Sequence, residues 1–122
     1  MKKLNREIGT YCEDIAKDYL KKNNYTIVAS NFRNRLGELD IICFKNNVLI
    51  VIEVKGRYSS DYGFPQEAVT LSKQKTIIKV TNCYLNYKNL RNVNIRFDVI
   101  EVYLNSKNAI IKTNHLKDAF RA

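Results

Sequence analysis

The sequence is poor in the residues that build linkers, metal cages and membrane spans. Among its 122 residues are one proline, four glycines, three cysteines and one histidine. So little proline and glycine excludes a flexible linker or a collagen-like repeat. Cys12, Cys43 and Cys83 form no Cys-x-x-Cys pair, and His115 has no cysteine near it, which argues against a zinc cage. Each cysteine lies in an apolar pattern and reads as a small buried hydrophobe. The longest apolar run, Val48–Ile52, falls far short of the ~20 residues that cross a bilayer. The N-terminus is basic with no apolar segment behind it. No secretory signal is therefore expected, and the expected location is cytoplasmic.

What is present is ordinary for a globular chain: 45% apolar and 27% charged residues. The length suffices for one core, so residues 1–122 read as a single domain. Charge is less ordinary. Lysine and arginine total 21 against 12 acidic residues, a formal net charge of +9. Such an excess favours a polyanionic partner. Nucleic acid comes ahead of an anionic membrane, because no basic amphipathic helix with a large aromatic face is evident.

Periodicity orders the elements. Ile8, Tyr11, Cys12, Ile15, Ala16 and Tyr19 recur at helical spacing, which predicts a helix over 7–22. Alternation predicts a strand over 25–33. Two runs rich in Ile, Val and Leu, 38–45 and 48–56, flank Asn46-Asn47, a pair able to adopt the positive φ of a two-residue hairpin turn. A polar loop runs from Tyr58 to Gly63. Pro65 suits a first helical turn, and Gln66–Tyr87 carries Val69, Ile77, Val80, Tyr84 and Leu85 at helical spacing. Val93–Leu104 reads as a strand and Ala109–Lys112 as a short one, with a final helical turn over Asn114–Phe120. The order α-β-β-β-α-β-β describes an α/β sandwich around one central sheet.

The chemistry concentrates on the hairpin. With a two-residue turn at Asn46-Asn47, Asp40 faces Glu53, Glu38 faces Lys55, and Gly37 faces Gly56. Facing residues share a side of the sheet. Glu38, Asp40, Glu53 and Lys55 are thus expected on one face, at the open end of the hairpin. Leu39, Ile41, Cys43, Ile50, Ile52 and Val54 line one side of it, and Ile42, Phe44, Leu49 and Val51 the other, so the pair is central and buried. Three carboxylates and one ammonium at a buried strand end leave two negative charges, and uncompensated buried charge is costly. A divalent cation balances them, and oxygen donors suit Mg²⁺ or Mn²⁺. The competing reading is a surface ion-pair ladder of Glu38 with Lys55.

These residues resemble the PD-(D/E)xK nuclease superfamily, and more closely the YraN family of small bacterial proteins, similar to archaeal Holliday-junction resolvases. The likeness runs through Gly9-x-x-x-Glu13-x-x-Ala16, Tyr19-Leu20, Asn31-x-Arg33, Gly37-Glu38-x-Asp40 and Glu53-Val54-Lys55-x-Arg57. It continues through Gly63-x-Pro65-x-Glu67-Ala68-Val69, Lys73, Arg96-Phe97-Asp98 and Ala119-Phe120. The resemblance implies a restriction-endonuclease-like α-β-β-β-α-β core, a central mixed sheet flanked by helices. It also implies Mg²⁺- or Mn²⁺-dependent cleavage of phosphodiesters in branched or non-duplex DNA, and a homodimer, since resolving a junction needs two cuts. By position, Asp40, Glu53 and the Val54 carbonyl would hold the metal. Lys55 would orient or activate the attacking water.

Glu13 would be a further ligand, against the reading of a solvated helix residue. Glu38 is either a ligand or the partner of Lys55. Arg33, Arg35, Arg57, Lys73, Lys75 and Lys79 are expected to contact phosphates, the three lysines along one side of the second helix. Tyr58 and Tyr62 read as loop residues that could stack on unpaired bases, although loop tyrosines are usually incidental. Arg96 with Asp98 reads as a structural ion pair, and His115 as structural or solvated. The alternative function is nucleic-acid binding without robust catalysis; a third is a partner-binding module.

Overall fold

A computed structural model describes residues 6–58 and 69–122. The elements are α1 (Arg6–Lys22), β1 (Thr26–Asn34), β2 (Gly37–Lys45), β3 (Val48–Tyr58), α2 (Leu71–Tyr87), β4 (Asn94–Leu104) and β5 (Ile110–Phe120). One sheet carries the strands in sequence order, β1-β2-β3-β4-β5. Only β3 and β4 run parallel, joined through α2, and every other neighbouring pair is antiparallel. This is the expected α/β order, consistent with a restriction-endonuclease-like core.

The helices cover opposite faces. Under α1, Cys12, Ala16 and Leu20 pack on Ile41, Cys43, Ile50, Ile52, Ile100, Val102 and Leu104. Under α2, Ile77, Val80 and Tyr84 pack on Leu39, Ile42, Leu49, Val51, Phe97 and Val99. The strands are apolar on both sides because both sides are roofed. The buried stripe of α1 includes Leu20 but excludes Tyr11, which is exposed. Cys12 and Cys43 are buried as expected, and Cys83 is half-buried.

Local chemistry sets the corners. Asn46 (φ 52°) and Asn47 (φ 64°) are both left-handed, the conformation a two-residue hairpin turn requires. The ladder then runs from Lys45↔Val48 to Ile41↔Ile52 as anticipated. Asn34 Oδ1 accepts from the amides of Leu36 and Gly37 and closes the β1–β2 turn.

Several expectations are corrected. Helix α2 begins at Leu71, capped by Thr70, whose Oγ1 accepts from Lys73 N. Val69 and Thr70 are not helical, and Pro65, Gln66 and Tyr62 lie outside the described residues. Tyr58 is the buried end of β3 and donates to Asn108 Oδ1, so it is not a loop residue. Phe44 is exposed. Strand β1 is not evenly alternating: its register shifts between Ile27 and Ala29, sending Ile27 to the α1 side and Ala29 to the α2 side.

The tail is strand, not helix. Residues 114–120 complete β5 along β4 because β4's buried carboxylates draw them there. Asn114 Nδ2 bonds Glu101, His115 Nε2 bonds Asp98, and the Asp118 amide bonds Asp98 Oδ1. Leu39 is also displaced. It packs under α2, whereas Ile41 packs under α1.

Candidate active site

The regular pairing of β2 with β3 ends at Ile41↔Ile52. Beyond it, Asp40 replaces the ladder with its side chain: Asp40 Oδ2 accepts the Val54 amide at 2.9 Å. The expected pairings Asp40–Glu53, Glu38–Lys55 and Gly37–Gly56 are therefore absent from the ladder. Glu38 lies opposite Arg33 on β1, and Gly37 opposite Asn34. Glu38 Oε2 meets Arg33 Nη2 at 3.1 Å, so its ion partner is Arg33, not Lys55.

Where the strands part, the carboxyl groups of Asp40 and Glu53 lie close enough to perturb each other. Both are held above the usual carboxylate range. Burial is the main cause for each; Asp40 raises Glu53 further, and Lys73 works against the shift in both.

The surrounding charges come from both faces of the sheet rather than from one. Glu13, on α1, is pushed up to about 7 by burial and then by Asp40 and Glu38. Lys73, on α2, places Nζ 3.7 Å from Glu53 Oε2. Lys55 shares Glu53's side of β3 by alternation and its charge opposes the shift of Glu53. Asp40, between strands, is within electrostatic reach of Glu38 and Lys73 alike.

Asp40, Glu53 and Val54 thus come together with Glu13, Glu38 and Lys55 around them. Among the described residues, no three His, Cys, Asp or Glu side chains converge closely enough to form a metal cage. The donor chemistry of the pair still fits a hard cation, since two neighbouring carboxylates away from bulk water call for positive charge between them.

The basic residues divide. Arg33 and Arg35 are exposed beside the site. Arg57 is only partly exposed. It bonds Glu101 Oε2 at 3.0 Å, in a cluster where Tyr103 and Asn114 donate to Glu101 Oε1. The three lysines of α2 do not share a side. At ~100° per residue, Lys73 continues the buried line of Ile77, Val80 and Tyr84, while Lys75 and Lys79 lie on the opposite, exposed face. The position of Lys73 was readable from that wheel; its pairing with Glu53 was not. Sequence reading also missed how far the Arg96–Asp98 ion pair extends. Asp98 is fully buried and takes two bonds from Arg96, one from His115 and one from the Asp118 amide. His115 in turn bonds Tyr19 Oη through Nδ1 at 2.8 Å.

Fold and site together define a small α/β protein whose sheet opens on a carboxyl pair, Glu53 buried and Asp40 half-buried, beside basic side chains. Comparison with known proteins narrows this. The chain belongs to the uncharacterised protein family UPF0102, whose model matches residues 12–102. A UPF0102 protein of Clostridium botulinum (strain Alaska E43 / Type E3) is 63% identical over 121 residues, 99% of each chain. One from Clostridium beijerinckii is 60% identical over 121 residues, 99% of this chain and 98% of the relative. One from Caldicellulosiruptor saccharolyticus is 42% identical over 115 residues, 94% of this chain and 98% of the relative.

Proposed function

We propose that this protein is a Mg²⁺- or Mn²⁺-dependent nuclease that hydrolyses phosphodiester bonds in branched or non-duplex nucleic acid, DNA ahead of RNA. The observation that carries the reading is the Asp40–Glu53 pair, Glu53 buried and Asp40 half-buried, with Asp40 anchored on the Val54 amide and Glu53 facing Lys73. Asp40, Glu53 and the Val54 carbonyl would hold the ion. When bound, it would supply Lewis acidity and an acidified water. Lys55, on Glu53's side of β3, orients the attacking water and offsets charge on the phosphoryl oxygens. Glu13, partly protonated near neutral pH, is placed to exchange a proton at the margin of the site. Arg33, Arg35, Lys75 and Lys79 present positive charge that positions phosphates without reading sequence.

The test incubates purified protein with Mn²⁺ or Mg²⁺ and linear, flapped and four-way DNA and RNA. Metal-dependent cleavage that Asp40→Asn and Glu53→Gln each abolish is the expected result. The same substitutions should erase the rise in Tm that Mn²⁺ gives the parent chain. Cleavage that persists in both variants would defeat the assignment. Salt-sensitive binding with no cleavage under any metal would favour the non-catalytic nucleic-acid-binding reading.

A further inference from the structure

The ammonium of Lys73 is the described cation paired with the carboxyl pair, 3.7 Å from Glu53 Oε2. Two features fix where it starts. Its backbone amide is held by Thr70 Oγ1 at 3.1 Å, in the capped first turn of α2. Three residues on, Thr76 rests over Gly37, where even a methyl group would stand 2.8 Å from Thr76 Cγ2. The backbone of Lys73 is thereby pinned to the start of β2. Its side chain is not: it is 46% exposed, against 10% for Glu53, and its four methylene links let the charge swing while the Cα stays.

A divalent ion at Asp40 and Glu53 would occupy the same electrostatic position, and two cations cannot share a carboxylate pair without mutual repulsion. We propose that Lys73 is the resident counter-ion of the metal-free site. The metal displaces it from Glu53, and the released ammonium takes up a phosphate of the bound nucleic acid. One side chain then couples metal loading to substrate binding, and the coupling acts equally in both directions. This inference rests on the metal-dependent reading above and gives Lys73 a positioning role distinct from that of Lys75 and Lys79.

Calorimetric titration of Mn²⁺ into the full chain without nucleic acid tests it, comparing the parent with Lys73→Gln and Lys73→Arg. A half-exposed competitor predicts that Lys73→Gln binds Mn²⁺ about 3–10-fold more tightly, while Lys73→Arg matches the parent. In a second arm, Mn²⁺ should strengthen binding of a non-cleavable phosphorothioate four-way DNA less in Lys73→Gln than in the parent. Unchanged or weaker Mn²⁺ affinity in Lys73→Gln, with the parent binding normally, would overturn the inference alone. No Mn²⁺ binding by the parent would overturn the metal reading and this inference with it. Matching near-ultraviolet circular dichroism of the three proteins establishes that each comparison is between folded chains.

Discussion

Single residues divide into those that hold the fold and those it holds in tension. Asp98 belongs to the first kind. Buried beneath α1's side of the sheet, it is satisfied by Arg96, His115 and the Asp118 amide. Burial alone would raise its pKa, but the bonds from His115, Arg96 and Asp118 outweigh it and lower the group to about 2. Removing one member of a buried ionic cluster leaves the others unpaired. Asp98→Asn should therefore destabilise the protein by about 3 kcal/mol or more, read as a drop in the urea midpoint at unchanged slope. A loss below about 0.5 kcal/mol, the size of a surface substitution, would show that the cluster contributes little. Asp40 and Glu53 belong to the second kind, because their proximity is unfavourable unless a proton or cation lies between them. Sequence reading set Arg96 and Asp98 apart as a structural ion pair, but it did not supply the further partners each charged residue finds. Glu38 illustrates why: its neighbour across β1, Arg33, is five residues away in sequence, yet the strand-to-strand register that brings them together depends on the Asn34 turn.

At the scale of elements, local chemistry was legible and nonlocal pairing was not. Asn46-Asn47 announced its turn, and the ladder held from the turn out to Ile41↔Ile52. It failed beyond that because a side chain, Asp40, took a backbone donor, an event no alternation rule contains. The tail from 114 to 120 was misread for a similar reason. Its partners, Asp98 and Glu101, lie on another strand, and its own exposed residues show little periodicity. Glycine makes the contrast testable. Gly37 lies under Thr76 with no room for a methyl group, whereas a Cβ at Gly9 would meet nothing within 4 Å among the described residues. Gly37→Ala should cost about 1–3 kcal/mol and shift α2 away from Glu53, seen as altered Mn²⁺ affinity. Gly9→Ala, in the body of α1, should instead add about 1 kcal/mol. Thermal denaturation of both variants checks the pair; a neutral Gly37→Ala would mean that α2 is free to move off β2.

For the whole molecule, no helix among the described residues is long and apolar enough to cross a membrane. A chain of net charge +9 nonetheless gathers acidic groups at the mouth of its sheet, and this gives its stability an unusual pH dependence. Glu13 and Glu53 have ordinary values of 4.5 in the unfolded chain and are raised, Glu13 to about 7, on folding. Between those values the folded state keeps protons that the unfolded state has lost. Stability from these groups is thus full below about 4.5 and declines as pH rises through about 7. Asp98 has the opposite sign: its contribution is present above its unfolded value of 3.8 and fades only as pH falls towards about 2. Metal-free protein should accordingly be most stable near pH 4–5 and lose Tm steadily towards pH 8. Adding Mn²⁺ should flatten or reverse that decline, since an ion that requires deprotonated ligands binds better as pH rises. Asp40→Asn should shrink the metal-free decline, because Asp40 is part of what raises both neighbours, and should remove the response to Mn²⁺. Scanning calorimetry from pH 4 to 8, with chelator and with Mn²⁺, separates these curves. A metal-free Tm that climbs across that range would mean that the carboxyl groups are solvated and apart, with no charge deficit for a metal to fill.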